Sequence, residues 1–252
     1  MNLSKNKIKY LLSLQLKKNR LKERSFLVEG EKIATEVLTQ KRYKIKAIYA
    51  LSDWLEDFAP LLAQYKPIIT VVTTVELKKI SSLKSPNRVL IELEAPTDEQ
   101  PSYAIQNSLS LVLENIQDPG NLGTIIRIAD WFGISTIFCS IGCVDVYNSK
   151  TLQASMGGFL RVSVVYTQLP ELLQQYPQLP VYGAILQGEN VFQTPLQATG
   201  FLLIGNEGKG LSEHLQTLIT HPVTIPKYGG AESLNAAVAT GILCALFRQS
   251  GG

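Results

Sequence analysis

The sequence predicts an α/β protein in two parts: a small α/β/α unit followed by a larger unit built on a mostly parallel sheet. Three observations predict it. Short apolar runs of strand length alternate with stretches of helical periodicity along most of the 252 residues. Residues 95–108, APTDEQPSYAIQNS, break that rhythm with two prolines among polar and acidic side chains, which is linker composition. Near the C-terminus, two short apolar runs each end in a glycine-containing loop and then a helical pattern: FLLIGNEGKGLS (201–212) and VTIPKYGGAESLNAAVATGILCALF (223–247). In a parallel sheet such loops gather at the carboxyl ends of strands, where ligands bind. The expected division is 1–95, a linker at 96–108, and 109–252.

Composition narrows the class. Hydrophobic residues make up 45% and charged residues 18% of the chain, an ordinary globular balance. No apolar run approaches the roughly 18–20 residues that span a bilayer. The basic N-terminus, MNLSKNKIKYLLSLQLKKNR, lacks an uninterrupted apolar core and a small-residue cleavage site, so it does not read as a signal peptide, and a cytoplasmic location is expected. Cys139, Cys143 and Cys244 are odd in number and lie in apolar stretches; with only two histidines, neither a disulfide framework nor a zinc site is expected. Net charge is +3, but residues 1–100 hold 18 Lys+Arg against 12 Asp+Glu, while 101–252 hold 6 against 9. A basic first half suits contact with a polyanion.

In chain order, residues 4–23 read as a basic amphipathic helix, with Ile8, Leu11, Leu12, Leu14 and Leu16 among lysines. Strands are expected at 25–29, 46–50, 68–72 and 88–93, with helices at 30–38, after Ser52, and at 75–83. In the second part a strand at 109–114 runs into Asp-Pro-Gly-Asn, strong turn chemistry that puts Asn121 at a helix N-cap. In that helix Leu122, Ile125, Ile126, Ala129 and Phe132 form the core stripe. Arg127 falls off it, one turn above Gly123. Further strands are expected at 136–140, 161–165, 181–185, 201–204 and 223–225, with helices near 149–156, 168–176, 211–219 and 233–248, the last capped by Ser233.

The glycine loops are not familiar phosphate sites. Lys209 is followed by Gly rather than Ser or Thr, so 205–210 is not a Walker A loop, and no G-x-G-x-x-G follows the first strand of either unit. There is no G-x-S-x-G nucleophile elbow either. What remains is a carboxylate, amides, a lysine and backbone N–H groups, with Ser233 and Asn235 opening a helix. That set holds a polar small molecule by its edges and supplies no obvious nucleophile, which favours group transfer from an activated cofactor.

Three ordered blocks carry a resemblance. LVLENIQDPGNLGTIIRIADWFGI (111–134) contains N-x-G-x-x-x-R as Asn121, Gly123 and Arg127; with blocks 201–212 and 223–247 it resembles the SpoU/TrmH-type RNA ribose 2′-O-methyltransferases of the SPOUT superfamily. KTLQASMGGFLRVSV (150–164) is similar to the family's intervening segment. FLVEGEKIATEVL (26–38) looks like the ribosomal-protein-like substrate-binding domain that many members carry first. The resemblance implies methyl transfer from S-adenosylmethionine to a ribose 2′-hydroxyl, a trefoil-knotted catalytic domain, and a homodimer with the active site at its interface. It also implies roles by matching position: Asn121, Arg127, Glu207, Ser233 and Asn235 as the catalytic set, and Leu186, Gly205, Glu207, Gly208, Ile225 and Leu234 as cofactor contacts. The chemistry asks for two partners held in line and for stabilisation of an alkoxide. Arg127 suits that charge; a guanidinium stays protonated, so as a general base it is awkward. Ribosomal RNA is the expected substrate because of the extra N-terminal unit. Transfer RNA, or RNA binding without chemistry, are the alternatives.

Overall fold

The structure, a computed structural model, describes residues 3–96 and 105–249. Residues 97–104 of the expected linker therefore lie outside the described residues. The chain divides into two compact units, Met1–Asp98 with Tyr147–Leu160, and Glu99–Val146 with Arg161–Gly252.

The first unit opens with two helices, α1 (Lys5–Ser13) and α2 (Lys17–Glu23), where one was expected over 4–23. The break is held from inside: the buried Arg20 guanidinium donates to the carbonyls of Leu14 (2.9 Å) and Gln15 (2.8 Å). There follow β1 (Ser25–Glu29), α3 (Glu31–Gln40), β2 (Ile45–Ala50), α4 (Ser52–Asp57), α5 (Ala59–Leu62), β3 (Ile69–Val71), α6 (Thr74–Ile80) and β4 (Val89–Glu94). The sheet order is β1-β4-β2-β3, with β4 antiparallel to both neighbours and β2 parallel to β3. Leu3, Leu11, Tyr49, Val72, Leu77, Ile80 and Leu90 form one core cluster, so the apolar stripe of α1 is spent on packing. The buried Glu92 adds a polar clasp: it accepts from Tyr10 Oη (2.6 Å) and Lys7 Nζ (3.2 Å), tying α1 to β4.

The second unit begins with β5 (Leu109–Leu113), α7 (Pro119–Trp131) and β6 (Thr136–Cys139). The chain then gives Tyr147–Leu160, including α8 (Ser149–Ala154), to the first unit. There the Phe26 ring stacks on Tyr147 with centroids 4.3 Å apart, and Tyr43 meets Phe26 edge-on at 5.3 Å. This differs from the expected 109–252 division, because aromatic packing between residues so distant in sequence leaves no local signal.

The second unit resumes with β7 (Ser163–Tyr166), α9 (Leu169–Gln174), β8 (Val181–Asn190), β9 (Gly200–Ile204), α10 (Glu213–Gln216), β10 (His221–Thr224) and α11 (Ala236–Gln249). Its six strands run in the order β10-β8-β9-β5-β6-β7 and every pairing is parallel, so all carboxyl ends share one edge. Val112, Phe138, Phe201, Leu203, Leu173 and Leu215 lie in the core on this sheet. Strands β5 and β9 are buried along their whole length, as in a sheet covered on both faces. Strand β8 runs past the expected 181–185. Tyr182 and Gly183 pair with His221 and Pro222, and then Glu189 and Asn190 pair with Val223 and Thr224, so 184–188 swings out of register. Gly188 makes the return possible: a Cβ there would sit 2.5–2.7 Å from Val223 backbone atoms. Among the described residues no helix is long and apolar enough to cross a membrane.

Candidate active site

The carboxyl edge of β10-β8-β9-β5 gathers most of the residues singled out in the sequence. The loop after β9 is a tight hairpin in which Asn206 and Gly210 exchange backbone hydrogen bonds (3.1 and 2.8 Å), leaving 207–209 at the tip. Gly205, at its base, has no room for a side chain: a Cβ would lie 2.3 Å from the Gly210 carbonyl carbon.

From that tip Glu207 reaches α7. Its Oε1 accepts from Asn121 Nδ2 at 2.5 Å. Asn121 Oδ1 in turn accepts from Asn235 Nδ2 at 2.9 Å. Asn235 Oδ1 accepts the N–H groups of Ala237 (2.9 Å) and Val238 (3.2 Å) at the start of α11. The direction of this chain is set by its far end. Two backbone donors fix Asn235 Oδ1 as the acceptor, so its amide nitrogen faces Asn121 and the Asn121 nitrogen faces the carboxylate. Three side chains from three elements thus form one relay of fixed polarity, ending on a charge-assisted bond.

Two expected caps are corrected. Asn121 does not cap α7; Asp118 does, accepting the Asn121 N–H at 2.8 Å, because Pro119 suits the first helical position and starts the helix early. That places Asn121 inside the first turn, with its side chain free for Glu207. Ser233 does not cap the last helix; Asn235 holds the first N–H groups, α11 starts at Ala236, and Ser233 is exposed outside it. The structure does not bring Ser233 into the relay. Nor does it bring in Arg127, which is exposed on α7 and has no hydrogen bond or ion pair with any described residue. Six residues from Asn121, it points about 240° around the helix and roughly 9 Å along it.

The expected cofactor contacts cluster by strand. Leu186 lies in the β8 excursion and is 78% exposed; Ile225 follows β10 half-buried; Leu234, ahead of α11, is 46% exposed. Gly205 and Gly208 belong to the loop after β9, which pairs with β8 on the side away from β10. The exposed apolar side chains of Leu186 and Leu234 suit contact with an amphipathic small molecule.

Residues not anticipated support this edge. Asn206 Oδ1 accepts from Gly208 N (3.0 Å) and Lys209 N (3.1 Å), and its Nδ2 donates to the Asn115 carbonyl (2.9 Å). The Ser212 N–H donates to Glu114 Oε2 at 2.7 Å. The only sequence signal for them is their position beside the motif residues. Behind the β5 loop, Cys143 Sγ accepts from Ile116 N (3.3 Å) and donates to the Leu113 carbonyl (3.3 Å). A hydrogen bond from Cys139 brings the Cys143 thiol down to about 7 against the opposing effect of burial, and pushes Cys139 up. All three cysteines are free and buried.

Comparison with known proteins agrees with this geometry. Residues 108–245 match the SpoU rRNA Methylase family, and residues 5–90 match the MRM3-like substrate binding domain. The chain is 32% identical over 244 residues to the 23S rRNA (guanosine(2553)-2′-O)-methyltransferase RlmP of Bacillus subtilis, covering 94% of each. Among solved structures, a TrmH-family protein from Porphyromonas gingivalis superposes with a TM-score of 0.85 at 34% identity, covering 98% of both chains. The AdoMet-bound rRNA methyltransferase of Sinorhizobium meliloti gives 0.87 at 27% identity, covering 98% of this chain and 95% of that one. With a family match over more than half its length, on a parallel sheet whose carboxyl edge holds the matched motifs, this chain belongs to the SpoU rRNA methylase family.

Proposed function

We propose that the protein transfers a methyl group from S-adenosylmethionine to a ribose 2′-hydroxyl of ribosomal RNA. The observation that carries this is the Glu207–Asn121–Asn235 relay, which joins the three motif blocks at one sheet edge. The residues present fit the cofactor: Gly205 keeps the loop backbone bare of a side chain, and Leu186, Ile225 and Leu234 offer apolar surface at neighbouring strand ends. When bound, S-adenosylmethionine supplies a methyl group on a sulfonium, a leaving group that needs no activation. The chain's own residues then have two tasks. Glu207, Asn121 and Asn235 fix the glycine loop against the starts of α7 and α11, so that the bound partners meet in line. Arg127, a permanent cation, stabilises the alkoxide and the neighbouring phosphate rather than accepting the proton, which is released to solvent water. Ser233, Gly208, Leu186, Ile225 and Leu234 complete the walls of the site.

Arg127 points away from the relay of its own chain, and this supports the homodimeric arrangement implied by the resemblance. Around it α7 and α11 run side by side and in parallel, joined at their starts by Asn121 and Asn235 and at their ends by Arg248 Nε donating to the Phe132 carbonyl. Their outer surface carries Trp131, 83% exposed, and Val238, 51% exposed. We read that surface as the contact with a second copy. The bare backbone crossings at Gly205 and Gly188 suit the family's trefoil knot. The first unit holds the RNA, the linker from residue 96 ends where Ile105 enters the core of the second unit, and the setting is cytoplasmic.

The test is incubation of unmodified ribosomal RNA with labelled S-adenosylmethionine, followed by mapping of the product. A single ribose methylation on ribosomal RNA is expected. Label on a base, label on transfer RNA only, or no label overturns the proposal.

A further inference from the structure

The side chain that shapes the Glu207 loop is that of its neighbour, Asn206. With Oδ1 held by the N–H groups of Gly208 and Lys209, the carboxamide fills the inside of the hairpin tip. The same two donors fix the amide's orientation, so Nδ2 must face the Asn115 carbonyl, 2.9 Å away. Asn115 is itself pinned. Its backbone is left-handed (φ +54), and its N–H donates to Ser140 Oγ at 2.9 Å. One side chain therefore does two jobs: it folds the tip that carries Glu207, and it ties that tip to the loop leading into α7.

The tie has a consequence for the relay. Glu207 sits on the loop after β9 and Asn121 in the first turn of α7, and their 2.5 Å bond tolerates little relative movement. The backbone bridge between Asn206 and Gly210 fixes the base of the hairpin, and Ser212 to Glu114 fixes its exit. Among the described residues, Asn206 to Asn115 is the hydrogen bond that joins a side chain of the 206–210 hairpin to the loop after β5.

We propose that Asn206 is a positioning residue for methyl transfer, holding Glu207 at the height where it engages Asn121. This rests on the reading that the Glu207–Asn121–Asn235 relay serves the reaction. Asn206→Asp keeps an acceptor for Gly208 and Lys209 but sets an oxygen against the Asn115 carbonyl, while Asn206→Ala removes both roles.

The experiment measures kcat and KM on unmodified ribosomal RNA for the full chain and for N206D, N206A, E207Q and N206A/E207Q, with S-adenosylmethionine affinity by calorimetry and melting temperature alongside. Supporting groups of this kind are worth about 10–100-fold when removed. N206D is therefore expected to lose about 10-fold or more in kcat, with KM for RNA within about twofold and an unchanged melting temperature. Adding N206A to E207Q is expected to slow turnover by less than about twofold further, because the two act through one contact. Should N206A fail to fold, N206D carries the test. If N206D turns over at the wild-type rate while E207Q is slow, the Asn206 proposal falls and the relay stands. A rate loss in N206A that multiplies fully with that of E207Q also overturns it, as does a loss that tracks melting temperature. If E207Q itself is as fast as wild type, the relay reading falls and takes the Asn206 role with it.

Discussion

Arg127 stands on the solvent face of α7 with no partner among the described residues, so its removal costs the fold little, within about 0.5 kcal/mol. In the proposed mechanism it brings charge to a developing alkoxide, and loss of one such group costs about 100- to 1,000-fold in turnover. Arg127→Ala should therefore retain S-adenosylmethionine affinity by calorimetry and lose about two to three orders of magnitude in single-turnover rate. A parallel loss of cofactor affinity would show that Arg127 belongs to the donor pocket instead. At this scale the sequence was informative about identity and less so about duty. The buried stripe of Leu122, Ile125, Ile126 and Ala129 and the exposure of Arg127 follow from the 3.6-residue period alone. The caps do not. Asp118 and Asn121 are both good capping residues three positions apart, and Pro119 decides between them through its fixed φ and missing N–H. Ser233 and Asn235 compete in the same way, and the winner is set by contact with α7, which no local pattern records.

Between elements, α7 and α11 form the joint on which the proposed assembly depends. Their parallel packing leaves the apolar side chains of Trp131 and Val238 exposed to water. Trp131→Lys puts a charge on that surface at the C-terminal end of α7, with little to disturb inside the chain. The expected outcome, by sedimentation or light scattering, is a shift from dimer to monomer at micromolar concentration, with turnover falling in step. A monomeric wild-type protein, or a variant that stays dimeric and active, would remove this surface from the assembly. The mostly parallel sheet was legible as alternating strand and helix patterns, but its strand order was not, and the β8–β9 crossover carries no helix at all. Nor was the length of β8 legible. The expected strand stops at 185, and only the close pass of Gly188 over Val223 returns the longer strand to register.

In the whole molecule, the basic first half is partly occupied by its own structure. Lys7, Lys46, Tyr10 and Tyr49 surround the buried Glu92, so some of the positive charge counted in sequence serves the fold before any polyanion. Burial, aided by the bond to Glu92, pushes the Tyr10 phenol up to about 12 from its ordinary 10.0. Lys7 is also raised: burial opposes its charge, but Tyr49 and Glu92 outweigh it. Both groups hold their protons more tightly in the native state. Their contribution to stability is therefore full below about pH 10 and is lost as pH rises through about 12. Thermal melts should stay level to about pH 9 and fall steeply from 10 to 12. Tyr10→Phe should melt lower at pH 8, with its deficit closing by pH 12. A constant deficit across that range would show that the phenol titrates alike in the native and unfolded states.

The return of Tyr147–Leu160 to the first unit bears on how the protein is made. A ribosome that has finished residue 98 has not finished the first unit, whose remaining segment emerges on the order of sixty residues later, roughly 3–12 s at ordinary elongation rates. Until then Phe26 and Tyr43 lack the rings that cover them, Tyr147 and Phe159. Strands β5 and β6, both meant for the interior of a parallel sheet, are already synthesised and wait for β7 and β9 to pair with them. Birth order and folding order therefore part company here, and the nascent chain must carry two unfinished cores at once.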